Sequence, residues 1–104
     1  MKFEKINGQN GETFYNRESG VSYRWSFMSN ADGSAFGRAH GSSGIFFRVI
    51  ADDCEVLAEK IGSARVMADA RPIARKYIRE TGKAIAVAVA EAALMNKIFW
   101  GKKS

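Results

Sequence analysis

The first half of the chain alternates apolar and polar residues with the two-residue period of β-strands. The clearest case is segment 21–27, where the apolar face is Val21, Tyr23, Trp25 and Phe27 and the polar face is Ser22, Arg24 and Ser26. Similar runs predict strands over 2–6, 12–17, 34–39 and 45–50. Turn-forming residues, including Asp32-Gly33, separate these runs, so we expect an antiparallel meander of four or five strands within residues 1–51.

The second half changes to helical spacing. Asp52 and Asp53 are typical of a helix N-terminus, and Cys54, Leu57 and Ile61 follow at helical intervals. We therefore expect a first helix to begin at 52–53 and to end or weaken at Gly62.

Two further helices are expected after it. Proline suits only the first turn of a helix, so Pro72 predicts a new helix or a sharp kink at about 71–72. Thr81-Gly82 should end that helix, and a last one is expected over 83–99. The predicted fold class is α+β: one domain over 1–104, in which the meander packs against two or three C-terminal helices in the helical part, 52–104.

The composition is that of an ordinary globular domain with a basic balance. Of the 104 residues, 46% are hydrophobic and 12% are aromatic, which suffices for one core. Lysine and arginine number 16 against 11 acidic residues, for a net charge of +5. This excess favours acidic partners, either nucleic acid or an acidic protein surface.

Several kinds of site are excluded by residue counts. The chain has one cysteine, Cys54, and one histidine, His40, so it has neither an internal disulfide nor a zinc site built on two imidazoles. We therefore expect no cofactor and no metal. The first residues lack the apolar run of a signal peptide, and no apolar segment approaches the roughly 20 residues that span a bilayer. A cytoplasmic protein without membrane contact is expected.

The sequence contains little evidence for a catalytic site. His40 lies close to Ser42 and Ser43, but the spacing of a nucleophile elbow, Gly-x-Ser-x-Gly, is missing. Cys54 stands among acidic residues, which disfavour its reactive thiolate. The sequence therefore predicts a protein that is not an enzyme.

A basic stripe is the sharpest functional signal. At 100° per residue, one side of a helix over 71–83 carries five cations, while its apolar residues lie on the opposite side. These cations are Arg71, Arg75, Lys76, Arg79 and Lys83. A solvated face usually mixes charge signs because like charges four residues apart repel, so the stripe indicates a partner-binding surface. Replacing its three arginines with glutamine should then abolish binding without loss of stability. One alternative is a solvated outer face, for which the same replacement would leave binding unchanged. The other is a buried ion-pair network, for which the replacement would unfold the protein.

The sheet offers a second candidate surface. Arg24, Arg38 and Arg48 each neighbour an aromatic residue, a pattern typical of platforms that stack bases and pair phosphates. The alternative is that these aromatic residues form a second core layer or an oligomer interface.

The segment 83–99 is apolar on more than one side, which is typical of a buried helix or a subunit contact. We expect a core helix, with a homodimer through this helix as the alternative.

Taken together, these patterns predict a small, basic, non-enzymatic binding protein that engages nucleic acid or a nucleoprotein machine through its basic helix. The alternative is an inhibitor or regulator that binds an acidic surface on another protein. Small inhibitors encoded by mobile elements, anti-CRISPR proteins among them, have this general size.

Overall fold

The computed structural model describes residues 1–28 and 44–101, with side-chain surroundings up to residue 96. Five strands form one antiparallel sheet in chain order: β1 (Glu4–Asn7), β2 (Gly11–Asn16), β3 (Val21–Met28), β4 (Gly44–Ala51) and β5 (Cys54–Gly62). Helical residues then run without interruption through α1 (Met67–Tyr77), a π-helical turn (Ile78–Gly82) and α2 (Lys83–Gly101). The α+β class and the N-terminal meander are confirmed. The expected strand over 34–39 and the turn before it lie outside the described residues.

The alternation along β3 positions the core. Its apolar residues are at most 9% exposed, and the β4 residues paired with them, Ile45, Phe47 and Val49, are fully buried on the same face. The helical residues buried against this face are Ala70, Ala74, Ile78, Ala86 and Ala90. Four of these five are alanines, whose short side chains let the helix approach the large rings of the sheet closely.

The helix expected to begin at 52–53 is wrong, because this part of the chain is the hairpin that leads into β5. Asp52 and Asp53 have positive φ angles of 51° and 64° and connect the paired residues Ala51 and Cys54. A two-residue hairpin loop of type I′ needs positive φ at both positions, which aspartate tolerates. The helical part therefore begins at Met67 rather than at residue 52.

The expected boundaries at Pro72 and Gly82 are also wrong. Pro72 lies inside α1, on its exposed side, because the helix already begins at Met67. Gly82 does not end a helix but is buried within the π-helical turn. A Cβ at this position would lie 2.9 Å from Cε1 of Phe47, so the glycine permits close packing of the helix on the sheet.

The helix α2 is only partly covered by the sheet. Ile85, Val89 and Ala93 pack against the core, whereas Ala88 is exposed and Met95 is 71% exposed. Dimerisation through this helix stays a prediction. In the part of the chain that the structure describes, no helix combines the length and apolarity needed to cross a membrane.

Replacing Trp25 tests the assignment of the sheet faces. Trp25 is 1% exposed, so Trp25→Ala should lower the free energy of unfolding by about 3–5 kcal/mol, the usual cost of emptying a large buried site. Ser22→Ala, on the other face of the same strand, should change it by less than about 0.5 kcal/mol. Urea unfolding of both variants measures this, and equal effects would contradict the assignment.

Candidate functional site

A buried carboxylate joins the sheet to the helix. Glu12 is 3% exposed and lies beside its cross-strand partner Trp25, whose indole Nε1 donates a 2.9 Å hydrogen bond to Oε1. Arg75 of α1 donates from Nε to Oε1 at 3.3 Å and from Nη2 to Oε2 at 3.0 Å. Lys5 Nζ of β1 lies 3.5 Å from Oε2. Two strands and the helix thus supply the donors that a buried charge requires.

These contacts keep Glu12 ionised. The hydrogen bond from Arg75 lowers the pKa of Glu12 most, and the hydrogen bond from Trp25 and the charges of Arg75 and Lys5 lower it further. Burial acts in the opposite direction, yet the pKa falls from 4.5 to about 2. At neutral pH Glu12 therefore holds no proton to donate, and its role is to form ion pairs with Arg75 and Lys5.

A cleft of about 540 Å³ opens next to this carboxylate, between the sheet and the helix. Its rim carries four cations and its floor is aromatic. The rim is Lys5, Arg75, Arg79 and Lys83, and the floor is Phe3, Phe14 and Tyr23. This volume is typical of sites that take small organic ligands. We call it the basic–aromatic cleft.

The charges in the basic–aromatic cleft do not cancel. Four cations and one carboxylate line it, so its local net charge is +3. Arg75 and Lys5 are the two that contact Glu12. Among the described residues, no carboxylate lies within ion-pair distance of Arg79 or Lys83, and both are exposed. Their charge is therefore available to an anion from outside.

The floor of the cleft is a small aromatic cluster. The ring of Phe14 stacks on that of Tyr23 with centroids 4.8 Å apart and planes 14° apart. Phe3 meets Tyr23 edge-on at 5.0 Å and 72°. Tyr23 is 2% exposed, whereas Phe3 and Phe14 are half-buried and border the open space. The cleft thus combines cations with accessible aromatic surface.

The basic stripe expected on the helix is only partly a free surface. Arg75, Arg79 and Lys83 come together in the cleft, whereas Lys76 is exposed elsewhere. The guanidinium carbon of Arg71 lies 5.8 Å from the ring centroid of Trp25, a cation–π contact. Since Arg71 and Arg75 both contact the sheet, we now expect their replacement to lower stability, and the stability-neutral outcome stays an untested prediction.

The second expected surface lies on the opposite face of the sheet. Arg24 and Arg48 are directly paired across β3 and β4, and Arg48 Nε lies 3.7 Å from Glu55. Phe46 on this face is fully buried, so it presents no ring for stacking. A role for Arg24 and Arg48 in binding stays a prediction, and Arg38 lies outside the described residues.

The candidate catalytic residues gain no support. Cys54 is exposed at the start of β5 rather than at a helix N-terminus, and His40 lies outside the described residues. Within the described ranges, His, Cys, Asp and Glu side chains form no group of three that suits a metal ion.

Sequence reasoning missed Phe3, Lys5 and Phe14. Phe3 and Lys5 are two residues apart and so share a face, which the sequence does indicate. Their proximity to Phe14 depends on the pairing of Lys5 with Phe14 across β1 and β2, and this register is not visible in the sequence.

Comparison with protein-family models, curated proteins and solved structures finds no match for this chain.

The ionisation of Glu12 predicts an acid-sensitive contribution to stability. Because its pKa is lowered in the folded protein, this contribution is complete above about pH 5 and is lost as the pH falls toward about 2. A shift of this size corresponds to about 3 kcal/mol. Urea unfolding of the wild type and of Glu12→Gln should give unfolding free energies whose difference shrinks between about pH 5 and pH 2. A difference that is independent of pH would contradict the assignment.

Proposed function

We propose that this protein is a non-enzymatic binding protein that engages nucleic acid through the basic–aromatic cleft. The observation that carries the proposal is the exposure of Arg79 and Lys83 beside Lys5, with no carboxylate partner for the two helical cations among the described residues. Phosphates of nucleic acid supply the negative charges that such a rim lacks. The remaining exposed cation of the stripe, Lys76, extends the same positive field along the helix.

The aromatic floor favours nucleic acid over an acidic protein surface. Carboxylates of a protein partner would pair with the cations but would not stack on the half-buried rings between them. Nucleic acid provides both phosphates for the cations and planar bases for the rings. An acidic protein partner is thus the competing outcome of the test.

The salt dependence of binding tests the proposal. Fluorescence anisotropy with generic oligonucleotides at about 50 and 200 mM salt should show affinity falling steeply, because bound phosphates release counterions. The variant Arg79→Gln/Lys83→Gln should bind more weakly and should flatten the salt slope by roughly 0.7–0.9 for each phosphate that it no longer binds. Glutamine keeps helix propensity close to that of the residues it replaces.

A matched control separates the effect of the cleft on binding from the effect of the protein's net charge. Arg17→Gln/Arg65→Gln removes two positive charges from exposed residues that do not line the cleft. This control should bind as the wild type does. Equal weakening by both double variants would contradict a localised site, and no binding at low salt would transfer the proposal to an acidic protein partner.

A further inference from the structure

We infer that the ligand of the basic–aromatic cleft is an unpaired nucleotide of a single strand, with its base on the ring of Phe14 and its phosphates on Arg79 and Lys83. This inference rests on the proposed function and makes it specific. It follows from the geometry of the aromatic floor, from the size of the cleft and from the ion pairs that already occupy Glu12.

The floor offers one aromatic face to a base. Tyr23 covers one face of the Phe14 ring, since the two rings are stacked in nearly parallel planes. Phe14 remains half-buried and borders the cleft beside Lys5, its cross-strand neighbour, so part of its ring is accessible to a ligand. Phe3, held edge-on to Tyr23, borders the same space. A planar base laid against Phe14 would extend the existing stack by one ring.

The cleft excludes a duplex from this contact. In a double helix the faces of the bases are covered by their neighbours, and a duplex therefore presents mainly phosphates and groove edges. A space of about 540 Å³ takes a small organic ligand rather than a helix of two strands. An unpaired nucleotide can enter with its base, whereas a duplex can only lie across the cationic rim.

The phosphate has cations on two sides. Lys5 belongs to β1, and Arg79 and Lys83 belong to the helical part, so the rim encloses the cleft from the sheet and from the helix. The charge of Glu12 does not repel an anion strongly here, because Arg75 and Lys5 already contact it. The net charge of +3 remains for the ligand.

The same contacts predict little preference among bases. Both oxygens of Glu12 already accept hydrogen bonds from Trp25 or Arg75, so this carboxylate is not free to select a base edge. Stacking tolerates every base because each has a π face. Binding should therefore depend on strandedness much more than on sequence.

Two neighbouring residues of β2 provide the test. Phe14 lines the cleft, whereas Tyr15 lies on the opposite face and is 37% exposed. Affinities of the wild type, Phe14→Leu and Tyr15→Leu are measured for a single strand and for a duplex of the same length. The wild type should bind the single strand more tightly. Phe14→Leu should weaken single-strand binding by at least about fivefold, the lower end for removal of a base stack, and should leave duplex binding unchanged.

The control and a second variant complete the test. Tyr15→Leu should bind the single strand within about twofold of the wild type, well below the effect of a missing stack. Thermal melting checks that each variant is folded. If Phe14→Leu is unfolded, Phe3→Leu replaces it, because Phe3 lies at the margin of the cluster, and it should also weaken single-strand binding selectively.

The outcomes separate this inference from the proposed function. Equal affinity for single strand and duplex would overturn the inference, and so would wild-type binding by the folded Phe14→Leu variant. In either case, weaker binding by Arg79→Gln/Lys83→Gln would still support nucleic-acid binding at the cleft. A loss of affinity confined to Tyr15→Leu would overturn it in favour of the opposite sheet face. Absence of binding to either oligonucleotide at low salt would overturn both.

Discussion

The structure depends on how one buried negative charge is satisfied. A carboxylate removed from water is stable only with charged and hydrogen-bonded partners around it. Glu12 obtains these partners from β1, β3 and α1, and so this one charge links the first three strands to the helix. Removing one of these partners would leave the buried charge less well compensated and would destabilise the folded protein.

A second carboxylate fixes the other flank of the helix. Tyr77 donates a 2.5 Å hydrogen bond to Glu59 of β5, while Arg75 contacts β2 on the opposite side. Burial and this contact raise the pKa of Tyr77 to about 12, so the hydroxyl stays a donor even in alkaline solution in which a free tyrosine ionises. Gly82 and the buried alanines of the helix pack directly on the sheet. Polar contacts therefore set the position of the helix, and close apolar packing supplies its stability.

The same arrangement creates the cleft. The negative charge of Glu12 is shared by Arg75 and Lys5, while the next cations along the helix, Arg79 and Lys83, lie beyond its contacts. Arg79 lies in the π-helical turn and Lys83 follows directly after it, and this spacing of four residues places both on the side of the cleft. The proposed binding surface is thus the part of the basic stripe that the fold itself does not use.

A sequence pattern predicts the structure of this protein only where it fits one type of secondary structure and excludes the other. The strict alternation of β3 fits one period only, and its faces are as predicted. The spacing of Leu57 and Ile61 fits both a helix and one face of a strand, since an interval of four satisfies both periods, and the strand is the observed result. Gly82 is equally suited to a helix end and to a close contact. The helical cations of the cleft could be predicted from the sequence as part of a basic stripe, but the cleft itself and its aromatic floor depend on strand register.

Photocrosslinking tests the central claim most directly, because it reports which ring a base touches. A single-stranded oligonucleotide with a photoreactive uracil would be irradiated in complex with the full chain, and the modified residue would be identified by peptide mass spectrometry. The account predicts a crosslink to Phe14 or Phe3, at the floor of the basic–aromatic cleft. A crosslink to Tyr15, on the opposite face of the sheet, would contradict it.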